Sequence, residues 1–266
     1  MDFKNKKDRS MKIALVLGSS EGLGYACAEA LLKSNVKVCI LSRNKNKLSN
    51  AVKNLSKINQ NNVFSIEGDI KNEETLSKAK KLIEEKWGEV NILINSNGGP
   101  KSGKVTELSD NDWTEGLNAY ALPVFRAIRI FNKGMIKSNW GRIITIGSIA
   151  AKEPIDNLDI SNFIRSGFLG LHKSLSNDLA KHNINVHCIL PGSILTSRTK
   201  DRISDRANKL SISIKESMQI SEKKIRKGRI GDPKDVGNLV AFLCSIEADY
   251  LTGGSYMVDG GMSNSI

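Results

Sequence analysis

Seven short runs rich in β-branched residues alternate with longer amphipathic stretches along almost the whole chain. The runs read KIALVLG, KVCILS, VFSIEG, VNILIN, RIITIGS, NVHCILPG and SYMVDG. Such alternation is typical of a parallel sheet with helices on both faces, because parallel strands need a crossover segment between them. Since these crossovers are nearly always right-handed, we predict an α/β protein with one doubly wound, seven-stranded parallel sheet.

Helices are predicted between the strand-like runs. In the first, Leu23, Cys27, Ala30 and Leu31 recur at helical spacing and should pack on the sheet. The predicted helices cover residues 24–33, 45–57, 73–86, 110–137, 162–182 and 233–244. Because no repeat or linker interrupts this pattern, residues 11–266 are predicted to form a single domain that follows a loose tail at residues 1–10.

The charge balance and the hydropathy pattern exclude several classes of partner. The chain has 40 Lys and Arg against 28 Asp and Glu, a formal net charge of +12. The basic residues are dispersed and form no binding stripe, so no nucleic-acid partner is expected. No apolar run is long enough for a membrane span, and the start MDFKNKKDRSMK does not resemble a signal peptide. We therefore expect a cytoplasmic protein without a membrane partner.

The four cysteines point to the interior of the protein. Cys27, Cys39, Cys188 and Cys244 stand singly in apolar surroundings, without the paired spacing of a metal site. Buried free thiols are the interpretation that this pattern favours. Neither a disulfide nor a bound metal is expected.

A glycine-rich loop follows the first predicted strand and precedes a helix. In LGSSEGLG, Gly18, Gly22 and Gly24 let the backbone turn tightly and bring amide N–H groups against a diphosphate. Ser20 and Leu23 lie in the same loop and are predicted to contact the same ligand. A plain strand-to-helix turn is the alternative, but the position after the first strand of a parallel sheet favours a dinucleotide site.

The end of the second strand predicts which dinucleotide binds. Ser42, Arg43 and Asn44 stand where an NAD-binding sheet usually places a carboxylate, and a small residue followed by arginine suits a 2′-phosphate. NADP(H) is therefore the preferred cofactor, with NAD(H) as the alternative. Glu21 in the glycine loop opposes this prediction, and Arg43 could also be a solvated loop residue. The residues predicted to contact the adenine are Asp69 and Ile70, after the third strand.

Several motifs together resemble the short-chain dehydrogenase/reductase family. They are LGSSEGLG, the SNGG after the fourth strand, the IGS that ends the fifth, the LPGSILT after the sixth and the closing YMVDGG. The likeness extends from about residue 12 to residue 261. It implies a Rossmann fold, a nicotinamide cofactor and an oxidoreductase.

The resemblance also implies roles for individual residues. The stretch at 95–98 matches the family's N-N-A-G, although Ser96 and Asn97 depart from it, and implies that Asn97 and Gly98 contact the cofactor. Asn118 and Ser148 match two of the family's four catalytic residues. The residues that match the nicotinamide-binding stretch are Pro191, Gly192, Ile194 and Thr196.

The other two catalytic residues are replaced. The family's tyrosine and lysine fall on Ser161 and Arg165, and the helix continues as GFLGLHKSLSNDLA in the family's usual manner. Hence the nearest likeness is to a divergent, 3-oxoacyl-reductase-like branch that lacks Tyr-x-x-x-Lys. A serine hydroxyl is a much weaker acid than a phenol, and arginine keeps its proton. We therefore expect Arg165 to donate to ribose hydroxyls and to stabilise an oxyanion, with the proton coming from elsewhere.

Other ionisable residues near this helix are interpreted as structural or solvated. Tyr120 lies two residues from Asn118 and should point to the opposite side of its helix. Asp156 and Asp159 precede the catalytic helix and are read as solvated carboxylates. The residues interpreted as structural histidines are His172, His182 and His187.

Residues 197–229 are predicted to form a lid over the substrate. This stretch holds eleven Lys and Arg against four Asp and Glu. Arg198, Arg202 and Arg206 recur at helical spacing, so they could face an acidic substrate such as a carboxylate, a phosphate or an acyl thioester carrier. The alternative is a solvated amphipathic helix, whose inward residues would be Ile203, Ile212 and Ile214.

The function predicted from these features is an NADP(H)-dependent oxidoreductase that acts on a carbonyl or an alcohol. Two alternatives stay open: a cofactor-binding protein without turnover, and a lyase or isomerase that uses the same site. The resemblance further implies a homo-oligomer, commonly a tetramer, formed through the helices at 110–137 and 162–182 and the closing strand. Candidate contacts, which could equally pack on the chain's own sheet, are Phe125, Ile128, Phe168 and Leu171.

Overall fold

The seven predicted strands lie in one sheet in which every pair of neighbours is parallel. The computed structural model describes residues 11–266, so the predicted tail at 1–10 lies outside the described residues. The strands are β1 (Ile13–Leu17), β2 (Lys37–Ser42), β3 (Val63–Glu67), β4 (Ile92–Asn95), β5 (Gly141–Ile146), β6 (Ile184–Pro191) and β7 (Ser255–Val258). Their order is β3-β2-β1-β4-β5-β6-β7. The predicted fold, a single-domain α/β protein with a seven-stranded, doubly wound sheet, is confirmed.

Helices cover both faces of this sheet. They are α1 (Gly22–Lys33), α2 (Lys45–Leu55), α3 (Glu73–Lys86), α4 (Asp110–Gly116), α5 (Leu122–Ser138), α6 (Asp159–Leu179), α7 (Ser197–Leu210), α8 (Ile214–Glu222) and α9 (Pro233–Cys244). Within the described residues, none of these helices is long and apolar enough to cross a membrane.

Two apolar layers hold the helices against the sheet. Leu15 and Leu17 of β1 face a core shared with α3, α5 and α6, whereas Ala14 and Val16 face one shared with α1, α2 and α9. Side chains alternate across a strand, so a strand covered on both faces needs apolar residues at every position. This requirement explains why the runs that predicted the strands are continuously hydrophobic.

The long helix predicted over 110–137 is interrupted. A π-helical turn at Leu117–Ala121 separates α4 from α5, and Pro123 follows it in the first turn of α5. Proline has no N–H to donate to the preceding turn, so the regular hydrogen-bond ladder cannot run through this point. Asn118 lies within the π-helical turn, and its position therefore differs from the one a continuous helix would give it.

The proposed oligomer contacts divide between the core and the surface. Ile128 and Phe168 are buried in the chain's own core, which is the alternative that the sequence left open for these candidates. Leu171 is half-buried beside the same core. Phe125 is 36% exposed, and its ring makes a T-shaped contact with the ring of Phe168. Burial of two of the four leaves Phe125 as the exposed member of the set.

A small apolar cluster joins Ile203 of α7 to Ile225 and Ile230, which follow α8, and Met218 of α8 packs against it. The prediction that Ile214 turns inward is wrong, because this residue begins α8 after the cap Ser213 and is exposed. The burial predicted for the four cysteines is confirmed. Burial raises the pKa of the Cys188 and Cys244 thiols to about 12, which keeps them protonated.

Candidate active site

A cleft of about 980 Å³ opens at the carboxyl ends of the central strands, beside α6 and α7. Doubly wound sheets bind ligands at this edge, where the strand order reverses, and here the reversal lies between β1 and β4. The predicted site residues that line the cleft are Gly18, Gly22, Leu23, Gly24, Asn97, Gly98, Ser148, Ser161, Arg165, Pro191, Gly192 and Thr196.

The remaining predicted site residues lie outside the wall of this cleft. One group sits at the ends of β2 and β3 and in the glycine loop: Ser20, Ser42, Arg43, Asn44, Asp69 and Ile70. Ile194 is buried and pairs with Gly231 in an isolated bridge. Asn118 is exposed on the π-helical turn. The structure thus does not bring Asn118 into the cleft with Ser148, in contrast to the position expected from the resemblance.

The glycine loop has no room for side chains at two positions. A Cβ on Gly18 would lie 1.9 Å from the Ser96 carbonyl oxygen, and one on Gly24 would lie 2.5 Å from the carbonyl oxygen of Gly18. Gly18 also has φ +61°, a conformation that favours glycine. The loop is held to β2 by the buried Ser19 hydroxyl, which donates to the Val16 carbonyl and accepts from the Leu41 amide. This rigid cradle fits a dinucleotide diphosphate at the start of α1.

Charged side chains surround the ends of β2 and β3. The Arg43 guanidinium lies 4.0 Å from the Asp69 carboxylate and is 73% exposed, and the Lys71 amine lies 3.8 Å from the same carboxylate. Glu21, which opposed the NADP(H) prediction, forms an ion pair with Lys47 at 2.8 Å. Its charge is thus already partnered. Lys47 was not among the predicted site residues, although it lies one turn after the helix cap Asn44.

Arg165 is buried and donates to two backbone carbonyls. Its Nη1 lies 2.8 Å from the Ile146 oxygen and its Nη2 lies 2.7 Å from the Gly98 oxygen. These bonds tie the end of β5 to the loop after β4, so Arg165 acts as a clamp between two walls of the cleft. The N–H groups of Arg165 that do not bond these carbonyls are left to make the predicted hydrogen bonds to a ribose. Burial lowers the pKa of the Arg165 guanidinium, which still keeps its charge near neutral pH.

The Ser148 hydroxyl is free to donate into the cleft. Its oxygen accepts from the Ala150 amide at 3.2 Å and so caps a short 3₁₀ turn after β5. Because this bond uses only an acceptor lone pair, the hydroxyl proton is left for a ligand. Ser161 also lines the cleft, from α6. Asn97 donates to the Tyr120 carbonyl at 3.4 Å, and its buried side-chain oxygen has no hydrogen-bond partner within the described residues.

The basic helix α7 also forms part of the cleft wall. Arg198, Arg202 and Arg206 all line the cleft, as their helical spacing predicted. Arg206 is held in place because it donates to the hydroxyls of Ser217 and Ser221 on α8. Asp205 lies in the same wall. Among the residues that line the cleft there is no tyrosine, histidine or cysteine.

Two histidines are structural, as predicted. His172 is buried, with one ring nitrogen 2.6 Å from the Phe168 carbonyl and the other 2.7 Å from the Thr145 hydroxyl. His187 is buried in β6, and burial lowers its pKa to about 4. The Asp159 carboxylate accepts from the Val105 amide at 2.8 Å and lies at the start of α6, outside the cleft wall.

The fold and the cleft define a nucleotide-binding α/β protein of the oxidoreductase type, and comparison with known proteins identifies the family. Residues 18–263 match the family described as enoyl-(acyl carrier protein) reductase. The chain is 30% identical over 254 residues to the 3-oxoacyl-[acyl-carrier-protein] reductase FabG of Vibrio harveyi, which covers 94% of this chain and 97% of that one. The chain belongs to the short-chain dehydrogenase/reductase family, and the predicted resemblance is confirmed.

Two further proteins are similar over nearly their whole length. The chain is 30% identical to the NADPH-dependent reductase BacG of Bacillus subtilis over 262 residues, 97% of this chain and 100% of that one. The crystal structure of L-sorbose reductase from Gluconobacter frateurii, complexed with NADPH and L-sorbose, matches with a TM-score of 0.93 and 27% identity, and the match covers 100% of both chains. The assignment to a branch without Tyr-x-x-x-Lys stays a prediction.

Proposed function

We propose that the protein is an NADP(H)-dependent reductase of a carbonyl compound, with an atypical catalytic site. The observation that carries this proposal is the meeting, in one cleft, of the glycine cradle, the free Ser148 hydroxyl and the buried Arg165. Two similar proteins, from Bacillus subtilis and Gluconobacter frateurii, are described with NADPH. The cofactor would supply hydride to a substrate held against Ser148.

Charges at the ends of β2 and β3 support the preference for NADP(H). Arg43, Lys47 and Lys71 give three cations beside two carboxylates, and both carboxylates lie within ion-pair distance of these cations. A 2′-phosphate would add the anion that this cluster lacks. NAD(H) would be the weaker ligand, because it has only a hydroxyl to offer there.

In this proposal Ser148 and Arg165 act on the substrate oxygen in different ways. Ser148 donates a hydrogen bond to the oxygen on which negative charge develops. Arg165, fixed by the Ile146 and Gly98 carbonyls, supplies a permanent positive charge nearby. Ser161 and Arg165 are both too weakly acidic to release a proton, so the proton comes from water or from the substrate itself.

A carbon–carbon double bond conjugated to a carbonyl is the second candidate substrate. The observation that favours it is that Ser161 and Arg165, the residues of α6 that line the cleft, are both too weakly acidic to protonate an alkoxide. Addition of hydride to the β-carbon places the negative charge on an enolate, which is less basic than an alkoxide and depends less on an acid. The family description also refers to an enoyl reductase.

Fluorescence titration with NADPH and NADH, followed by a panel of ketones, acyl thioesters, keto sugars and enoyl thioesters, tests the proposal. We expect NADPH to bind more tightly than NADH, and its absorbance to fall with at least one substrate. Arg43→Ala and Lys47→Ala should each weaken NADPH binding by about 10-fold and leave NADH unchanged. Lys53→Ala, elsewhere on α2, is the control.

Other results of these experiments would favour one of the alternative functions. Tight NADPH binding without oxidation by any substrate would favour a sensor or partner subunit, and an isomerised or eliminated product without net oxidation would favour the lyase alternative. Failure of both cofactors to bind would overturn the proposal. Ser161→Tyr combined with Arg165→Lys is the sharper test of mechanism, because activity on ketones only in the restored protein would show that the native site does not perform ordinary reduction.

We also propose that the protein is a homo-oligomer. The exposed aromatic rings of Phe125 on α5 and Phe163 on α6, the latter 60% exposed, support a contact through these helices. Light scattering of the wild type and of Phe163→Ser tests it. A fall in mass in the variant is expected, and a monomeric wild type would contradict the proposal.

A further inference from the structure

We propose that Arg198 and Arg202 form an anion subsite in the cleft, which binds a carboxylate or phosphate group of the substrate. This inference rests on the proposed reductase function and names the class of substrate. A keto acid or a phosphorylated ketone would place its anionic group against α7 and its carbonyl oxygen against Ser148. The same two arginines would reject the neutral analogue of that substrate.

The Arg198 guanidinium lies next to the loop after β4. Arg198 and Arg202 are four residues apart on α7, so they share one face of the helix, and both line the cleft. A Cβ on Gly99 would lie 2.3 Å from the Arg198 Nη1 atom. The Arg198 guanidinium therefore lies against the backbone of residue 99, in the loop that forms part of the cleft wall.

Neither arginine has a carboxylate partner among the residues that the structure describes. Arg142 and Arg229 pair with aspartates at 2.7 Å and 2.9 Å, whereas no ion pair within 4.0 Å involves Arg198 or Arg202. Asp205 lies in the same wall but forms no such pair with them. The cleft thus contains positive charge that the described part of the chain leaves without a direct ion pair.

The arginines also repel one another. Burial, followed by the charges of Arg198 and Arg206, lowers the pKa of the Arg202 guanidinium. Like charges held together destabilise the unliganded protein, and groups with perturbed pKa values cluster at functional sites. An anion bound between Arg198 and Arg202 would remove this repulsion.

The third arginine has a different role. Arg206 donates through Nε to the Ser217 hydroxyl at 3.0 Å and through Nη2 to the Ser221 hydroxyl at 2.6 Å. These bonds hold α8 against α7, so its guanidinium is already oriented. Arg198 and Arg202 have no such partners within the described residues and keep the planar fork that binds carboxylate or phosphate in a bidentate manner.

Calorimetry on the protein loaded with NADP⁺, which has no hydride to transfer to the probe, tests the subsite. The probes are acetoacetate, its neutral methyl ester and inorganic phosphate. We expect acetoacetate to bind at least about 10-fold more tightly than the ester, because two charge-assisted hydrogen bonds distinguish them. We also expect phosphate to compete with acetoacetate. In the double variant Arg198→Gln and Arg202→Gln the preference should disappear, while Lys200→Gln, on the same helix but outside the cleft wall, should keep it.

Affinity for NADPH separates this inference from the proposed function. The Kd for NADPH should be the same in the wild type, the double variant and Lys200→Gln, because the subsite contacts the substrate and not the cofactor. Equal binding of acid and ester, or no binding of acetoacetate or phosphate up to roughly 10 mM, would overturn the subsite and leave the reductase proposal intact. Loss of NADPH binding in the double variant would overturn it too, since the arginines would then hold the cofactor. Failure of the wild type to bind NADPH contradicts the proposed function itself.

Discussion

The two sides of the cleft differ in what defines them. On the glycine-loop side, residues 18–24, the shape depends on backbone atoms so close together that Gly18 and Gly24 cannot carry a Cβ. On the catalytic-helix side, which comprises Ser148, Ser161 and Arg165, the chemistry depends on side chains, and the resemblance predicts that two of them replace the family's tyrosine and lysine. A binding loop whose shape depends on close backbone contacts tolerates few substitutions. A side chain that acts as an acid can be replaced while the fold is kept.

The largest expected effect is on the glycine-loop side. Gly18→Val should abolish NADPH binding, because a Cβ would meet the Ser96 carbonyl at 1.9 Å and φ is +61°. Strain of about 3 kcal/mol or more corresponds to a loss of at least roughly 100-fold in affinity. Titration calorimetry measures it. The control is Gly167→Ala on α6, where a Cβ has open space, and where we expect unchanged affinity and about 0.5–1 kcal/mol of added stability.

The next effect is on the catalytic-helix side. Ser148→Ala removes the hydroxyl that donates to the developing oxyanion, so kcat should fall by about 10²–10³-fold while the Kd for NADPH stays the same. Stopped-flow measurement of hydride transfer checks this. Ser166→Ala removes a hydroxyl that only bonds the Ala151 carbonyl, outside the cleft wall, and should not change kcat. A rate that Ser148→Ala leaves untouched would show that both sides of the cleft serve binding alone.

The third prediction concerns the sheet that supports both sides. The folded-state pKa of His187, about 4, lies below the ordinary 6.5, so the unfolded chain binds more protons between these values. Burial of His187 therefore lowers the free energy of unfolding at acid pH. This loss is absent above about pH 6.5, grows as pH falls and is complete below about pH 4, where it reaches about 3 kcal/mol.

Urea unfolding of the wild type and His187→Leu at pH 7, 5 and 4 measures this penalty. The variant should gain stability relative to the wild type as pH falls. Ile189→Val, at a buried position of the same strand, removes no titratable group and is the control, so it should show no such trend. A wild-type to His187→Leu difference that is the same at every pH would contradict the prediction.

The smallest effect concerns the clamp that joins the two sides. Arg165→Lys replaces a planar fork with a single amine that cannot reach both the Ile146 and Gly98 carbonyls as the guanidinium does. We expect a loss of about 1.5–3 kcal/mol in the free energy of unfolding, measured in urea without cofactor. Arg202→Lys, which has no ion pair within the described residues, should not change stability. A fully stable Arg165→Lys would mean that Arg165 is not a structural clamp.

Local signals predicted most of the fold. The seven strands follow from continuous apolar runs, and the helix over Glu73–Lys86 begins and ends where its periodicity predicted. The π-helical turn at Leu117–Ala121 was not predicted, although Pro123 marks it, because apolar periodicity continues across the break. A side-chain pattern reports which face is buried and does not report how the backbone hydrogen bonds are shared.

Residue types at fixed spacing were enough to predict the sheet and the glycine loop, and they also predict that Ser161 and Arg165 replace the family's tyrosine and lysine. The contacts of individual side chains follow from the folded structure: Glu21 pairs with Lys47, Arg165 bonds two carbonyls, and Asn118 lies outside the cleft wall. The difference comes from the distance along the chain over which each kind of interaction acts. Backbone geometry and periodicity act over a few residues, whereas ion pairs and buried hydrogen bonds join atoms that only the packing of distant elements brings within 3 to 4 Å of each other.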